Sequence, residues 1–217
     1  MVTWNTLSIT GFEHKPVPNT FIRQRDETSH AAVILPGLGY TAQMPLLFYI
    51  SQMLLAQGAD VLQVNYNYID AFRGLNSATQ HRWLFADSEA AYHALIAQRP
   101  YTHLTVVGKS LGTLAMAHLF TTHNFSTPPT ALWLTPVLTN AAVREQIAAF
   151  SGPSLVVIGT ADSFYDPGLL AEIDETPTRT FAIIDGAGHG MNVGNDVFQS
   201  LQALEQALHA VEEFLNH

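Results

Sequence analysis

The 217-residue sequence predicts an α/β fold: a mostly parallel sheet with helices on both faces. Three observations predict it. Short β-branched runs alternate with longer amphipathic ones. Most of the short runs are apolar throughout rather than at every second residue, as in strands buried on both faces. Two strand-like segments with prolines between them precede the first amphipathic run. No repeat, low-complexity tract or linker interrupts the pattern, so one domain over residues 1–217 is expected.

The leading strands are expected over 3–10 and, after Pro16 and Pro18, over 20–25. Residues 31–35 form a third, stopped by Pro36-Gly37. The amphipathic run 42–57 ends at Gly58, a suitable helix C-cap. A fourth strand over 60–66 precedes a helix over 79–98, which stops before Pro100. The fifth strand, 104–107, feeds a helix over 111–123, and the sixth, 130–134, a helix over 139–149. The seventh, 154–158, leads to a weak turn near 168–173, and 180–184 is the eighth. The last run places Val197, Leu201, Leu204, Leu208, Val211 and Leu215 at spacings of four and three, with Glu205, Glu212 and Glu213 off that stripe. A helix packing those six residues on the sheet is expected.

Composition excludes several classes of function. Nine Lys and Arg against eighteen Asp and Glu leave a formal charge of −9, and no basic cluster is available to neutralise nucleic-acid phosphates. An apolar fraction of 47% with only 12% charged residues is that of a folded chain, not a disordered one. The absence of cysteine excludes disulfides, thiolate zinc sites, iron–sulfur clusters and a cysteine nucleophile. The first residues lack the basic and apolar regions of a signal peptide, and no apolar stretch is long enough to span a bilayer. A cytoplasmic protein without a membrane span is therefore expected. The sequence has no H-E-x-x-H, no paired carboxylate–histidine cluster, no G-x-G-x-x-G and no phosphate loop, so neither a metal nor another cofactor is expected.

In a parallel sheet, ligands bind beyond the carboxyl ends of the strands, which makes the post-strand turns the informative places. After the fifth strand comes Gly108-Lys109-Ser110-Leu111-Gly112, of the form G-x-S-x-G. A strand that turns sharply into a helix strains its central residue and needs small neighbours, which Gly108 and Gly112 supply. Ser110 would then stand at the sheet edge on a helix N-terminus, with Lys109 pointing away from that face. A serine hydroxyl needs a base within hydrogen-bond reach. Of ten histidines, only His189 occupies a glycine-rich loop after a strand, Gly186-Ala187-Gly188-His189-Gly190. The base needs a carboxylate to orient it: Asp162, in the first turn after the seventh strand, is best placed. Asp166, which precedes Pro167 as at a helix entry, and Asp185, close to His189 in sequence, remain alternatives. Oxyanion donors are expected from the backbone N–H of Leu111 and, across Pro36-Gly37-Leu38-Gly39-Tyr40, from that of Leu38.

The order Ser110, Asp162, His189 with this elbow resembles the α/β-hydrolase superfamily over essentially the whole chain. The resemblance implies a single-domain α/β-hydrolase fold, with the carboxylate after the seventh strand and the histidine after the eighth. Where the family usually has His-Gly-x-Gly after its third strand, this chain has Pro36-Gly37-Leu38-Gly39 and so lacks one supporting side chain. Ser110 argues against the dehalogenases and epoxide hydrolases of this fold, which place aspartate at the elbow. Dienelactone hydrolases are set aside because they use cysteine there. Only residues 136–152 separate the sixth and seventh strands, where larger members insert a lid, so a compact member without a cap domain is implied.

The implied activity is hydrolysis of carboxylic esters or thioesters through an acyl-enzyme on Ser110. Acyl transfer, perhydrolysis and carbon–carbon hydrolysis with the same groups, or ligand binding without catalysis, are the alternatives. Pocket walls are expected from Tyr40, Tyr66, Tyr68, Pro136, Val137, Phe164 and Met191, and such bulk on short loops favours small neutral esters with short acyl chains. The expected partner is a small-molecule ester, with no nucleic acid.

Overall fold

The computed structural model describes residues 1–66, 68–173 and 178–216. Its strands are β1 (Val2–Asn5), β2 (Asn19–Gln24), β3 (His30–Leu35), β4 (Asp60–Val64), β5 (His103–Lys109), β6 (Thr130–Leu134), β7 (Ser154–Gly159) and β8 (Arg179–Ile184). They form one sheet in the order β1-β2-β4-β3-β5-β6-β7-β8. β2 pairs antiparallel with both β1 and β4, and every other pairing is parallel. The order departs from sequence order where β4 lies outside β3. The carboxyl ends of β3 and β5 therefore lie side by side.

The helices are α1 (Pro45–Ala56), α2 (Tyr68–Ala71), α3 (Ser77–Ile96), α4 (Leu111–Thr122), α5 (Ala141–Ala149), α6 (Pro167–Ala171) and α7 (Val197–Leu215). Their caps have identifiable causes. Asn76, Asn140 and Asp196 each accept a backbone N–H from the first turn of α3, α5 and α7, satisfying donors that a helix start leaves free. The only helix between β6 and β7 is α5, so no cap domain stands there.

Strand pleat divides the core between the two faces. On one, Leu46, Leu47, Ile50 and Leu54 of α1 and Ala203, Ala207 and Val211 of α7 pack with Val107, Leu132 and Val157. On the other, residues such as Leu84, Leu95, Met116, Leu119, Val143 and Ile147 from α3, α4 and α5 pack with Val33, Val106, Trp133 and Val156. Each fully buried Leu, Ile or Val contributes about 1.5–3 kcal/mol relative to exposure, so the paired layers hold the sheet edge in place.

Three expectations are corrected. The first strand stops at Asn5, not residue 10, because the Asn19 side chain takes over the pairing. Its Oδ1 accepts the Leu7 N–H and its Nδ2 donates to the Leu7 carbonyl, both at 2.9 Å. The strand over 60–66 ends at Val64, and Asn65 N–H turns to the Pro18 carbonyl at 2.7 Å. On α7 the apolar stripe is rotated from the expected one. Ala203, Ala207 and Val211 are buried, whereas Val197 and Leu201 are exposed. Two alanines allow the helix to approach closely, which turns Leu204 and Leu208 to the flank of the contact.

Candidate active site

The elbow at Ser110 is built by exclusion of side chains on either side of it. Ser110 has φ 52° and ψ −116°, a left-handed backbone that L-residues adopt only when their surroundings fix it. A Cβ on Gly108 would lie 2.8 Å from the Gly112 carbonyl oxygen, and one on Gly112 would collide with the carbonyl of Leu35. Only glycine at both positions lets β5, α4 and β3 meet. The Ser110 N–H donates to Leu134 at 3.0 Å, tying the turn to β6, and its carbonyl accepts from Thr113 N–H at 2.8 Å and Thr113 Oγ1 at 2.6 Å.

His189 reaches the elbow from the loop after β8. Its Nε2 lies 2.8 Å from Ser110 Oγ and its Nδ1 2.8 Å from Asp162 Oδ2. Asp162 sits just beyond β7, with its side chain fully buried while His189 keeps one-third of its own exposed. The other Asp162 oxygen accepts the Phe164 N–H at 2.9 Å, so both carboxylate oxygens are engaged. Adjacent strand ends bring these loops together. Ala161 N–H donates to the Ala187 carbonyl at 3.0 Å, and a Cβ on Gly159 would collide with that backbone. The Phe164 ring meets the imidazole edge-on at 5.2 Å.

The two other carboxylates are occupied elsewhere. Asp166 caps α6 through Gly168 N–H at 2.7 Å and Leu169 N–H at 3.2 Å. Asp185 accepts from Thr160 Oγ1 at 3.0 Å.

The post-β3 loop adjoins the serine: a Cβ on Gly37 would be 3.2 Å from Ser110 Cβ. Gly37 and Tyr40 exchange backbone hydrogen bonds at 3.2 and 3.3 Å, leaving Leu38 exposed at the turn. Leu111 occupies the first position of α4, where N–H groups have no partner within the helix.

The expected wall residues fall into two groups. Phe164 and Val137 are half-buried, Phe164 against His189 and Val137 with its N–H on Thr113 Oγ1 at 3.3 Å. Tyr40 and Met191 line a cleft of about 400 Å³ with Pro45, Asn192, Leu201 and Leu204. Pro136 is buried. Tyr66 and Tyr68 are buried too, stacked at 4.2 Å with Phe72 next in line, so their rings pack the core instead of forming an open wall. Tyr66 hydroxyl donates to the Pro36 carbonyl at 3.3 Å, and Tyr68 hydroxyl to Asp87 at 2.6 Å. Burial holds both phenols well above the usual tyrosine range and the Asp87 carboxyl above that of aspartate.

Sequence reasoning missed the role of Lys109. Its side chain is 1% exposed, and its ammonium donates to the His189 carbonyl at 3.0 Å and to Thr135 Oγ1 at 3.1 Å, 4.3 Å over the Tyr40 ring. Burial pushes it down to about 8, against the opposing charge of Asp162. Thr135, at φ 42° and fully buried, is a second strained residue beside it. The pleat carries the signal for Lys109: it lies two residues after Val107 and shares that inward face. No sequence signal marks Thr135.

A further correction concerns metal ligands. The sequence predicts no carboxylate–histidine cluster, yet ligand atoms of Glu89, His93 and His123 lie within 4.8 Å of one another. Glu89 and His93 stand one turn apart on α3, and His123, the C-cap of α4, joins them from 34 residues on, a partnership that linear spacing hides.

Comparisons agree with this architecture. A family model described as "Alpha/beta hydrolase domain" matches residues 29–216. No curated protein matches the chain by sequence. The chain resembles XC6422 from Xanthomonas campestris, a serine hydrolase without lid, at 16% identity and TM-score 0.69, covering 99% of this chain and 94% of that one. It resembles the Pyrococcus furiosus esterase Pf2001 at 15% identity and TM-score 0.73, over 99% and 92%. A third likeness is to Est1E from Butyrivibrio proteoclasticus, in a structure with ferulic acid bound, at 13% identity and TM-score 0.69, over 96% and 97%. These identities speak for the fold, and the matched family model covers most of the chain. Among the described residues no helix is long and apolar enough to cross a membrane. The chain belongs to the alpha/beta hydrolase family, as a small member with no cap domain between its sixth and seventh strands.

Proposed function

We propose that this hydrolase is one catalytic domain that cleaves small neutral carboxylic esters or thioesters through an acyl-enzyme on Ser110. The observation that carries the reading is the unbroken relay from Ser110 Oγ through both ring nitrogens of His189 to Asp162, with each link at 2.8 Å. An ionised Asp162 holds the proton on Nδ1 and leaves Nε2 free to accept from the serine. As Ser110 Oγ bonds to the acyl carbon, its proton passes to Nε2. The resulting imidazolium faces the buried carboxylate and returns the proton to the departing alcohol or thiol. Water then attacks the acyl-serine by the same route, releasing the acid.

Negative charge on the tetrahedral oxygen is met by the N–H groups of Leu111 and Leu38. Gly37 packed against Ser110 and Tyr66 on the Pro36 carbonyl support the second donor, because both fix the turn that carries it. Short acyl groups are favoured by Phe164 at the imidazole and by the absence of a lid helix that would deepen the site. An acidic chain also disfavours polyanionic substrates. The deciding experiment is labelling with a fluorophosphonate probe. Wild type should be modified at Ser110 and Ser110→Ala should not; a folded wild type that resists the probe would overturn the reading.

A further inference from the structure

Glu89 on α3 stands at the centre of four side chains at the far end of the molecule from the elbow. His93 lies one turn on, with Nε2 3.7 Å from Glu89 Oε2. His123, the C-cap of α4, brings its Nε2 to 2.6 Å from the same oxygen. His118 Nε2 is 3.1 Å from the other oxygen, which also accepts Thr122 Oγ1 at 2.7 Å. α4 has twelve residues, so His123 is about 18 Å along its axis from Ser110.

From this cluster we infer a second site, a divalent transition-metal site that joins α3 to α4 through Glu89, His93 and His123. Tetrahedral zinc with bonds of about 2.0–2.2 Å sets its ligands roughly 3.3–3.6 Å apart. The 2.6 and 3.7 Å separations from Glu89 Oε2 bracket that value. Both lie within about 1 Å of the spacing such an ion sets, all three ligand atoms are within 4.8 Å of one another, and His93, 61% exposed, has room to rotate.

The ligand chemistry selects the ion. Two imidazoles and one carboxylate suit zinc, cobalt or nickel, whereas magnesium and calcium take oxygen donors. The surroundings fit a cation. Thr122 orients the carboxylate, a helix C-terminus carries partial negative charge, and the chain itself is acidic. The His118 ring, stacked on Phe85 at 4.2 Å, is positioned to bond the second Glu89 oxygen or to become a fourth ligand. His123 is held against Tyr92 at 4.6 Å, so its ring is placed before binding and the ordering left to binding falls on His93.

The test uses the full chain without a histidine tag, stripped with chelator and titrated with cobalt and with zinc. Wild type should bind one equivalent, develop the visible bands of tetrahedral cobalt, and melt roughly 5–10 °C higher at a hundredfold excess of zinc over Kd. His93→Ala and Glu89→Gln should each weaken binding by tenfold or more, while ester turnover without metal stays at the wild-type level. His93→Ala is a surface change on α3 and leaves the core intact, so its loss of binding does not reduce to unfolding. His209, which faces Glu205 and Glu212 at 3.9 and 3.7 Å on α7, is the control, and His209→Ala should bind as wild type does. No binding at millimolar metal, or binding that survives His93→Ala and Glu89→Gln, would overturn the assignment. So would binding lost only in His209→Ala.

Discussion

Replacing Lys109 with methionine should make the protein more stable and less active, and the structure gives the size of the first effect. The ammonium is withdrawn from water, and burial lowers its folded-state pKa from 10.5 to about 8. The folded value lies below the unfolded one, so between these two pH values the unfolded chain holds the additional proton. Stability must therefore rise with pH across that window, and the full cost, about 3 kcal/mol, is present below pH 8. Between pH 7.5 and 9.5 wild type should gain about 2 kcal/mol. Above pH 10 the trend reverses, because Tyr66, Tyr68 and Tyr101 hold their protons when folded and lose them when unfolded. Lys109→Met removes the charge but also two hydrogen bonds, worth about 1–2 kcal/mol together. A net gain of about 1–2 kcal/mol at pH 7.5 follows, raising Tm by roughly 2–8 °C. The lost bond to the His189 carbonyl loosens the loop that aims the imidazole, so kcat should fall about tenfold with KM little changed. Urea unfolding followed by tryptophan fluorescence from pH 7.5 to 9.5 measures the slope. A flat or falling wild-type profile, or a slope that persists in Lys109→Met, would refute the reasoning.

Three further outcomes are expected. Ser110→Ala and His189→Ala should each lower ester turnover by several orders of magnitude, and the double variant should be scarcely worse, because the groups act as a unit; additive losses in kcat would refute this. Gly112→Ala drives a Cβ into the Leu35 carbonyl and should cost at least about 3 kcal/mol, so a variant with wild-type Tm would show that β3 and α4 are not in contact there. Across nitrophenyl esters of increasing length, kcat/KM should peak between roughly two and six carbons, and a maximum at ten or beyond would mean a deep pocket.

Much of the candidate site was legible because a parallel sheet reduces the search to a few turns. Gly108, Ser110 and Gly112 are recognisable together since the strand before them and the helix after them are both apolar. His189 stands out among ten histidines by its glycine loop alone. Asp162 is less legible than the serine: three carboxylates follow β7 and β8, and only the folded chain shows Asp162 on His189, with Asp166 on α6 and Asp185 on Thr160. The tyrosines were misjudged in the opposite way. Tyr66 and Tyr68 follow a strand, as wall residues should, but Asp87 lies in α3 opposite them and draws a hydroxyl inward. Long-range polar pairing of that kind leaves no periodic trace. The α7 stripe failed for a related reason, since leucine spacing does not reveal that two alanines make the closer fit.

The same helix serves both ends of the molecule, and its burial explains why the two sites should differ in what they control. Every residue from Gly112 to Ala117 is buried, with Leu119 and Phe120 beyond them. Such a helix cannot shift along its axis without opening the core on one face of the sheet. The strain at Ser110, of order 1–3 kcal/mol, is held by that packing and by β6, not by the loop that bears it. Joining α4 to α3 at His123 therefore adds to the barrier against unfolding while leaving the elbow, already fixed, where it is. Metal should consequently move Tm and not kcat. A change in ester kcat of more than about twofold on zinc binding would mean that the elbow is still free to move, contrary to the packing around α4.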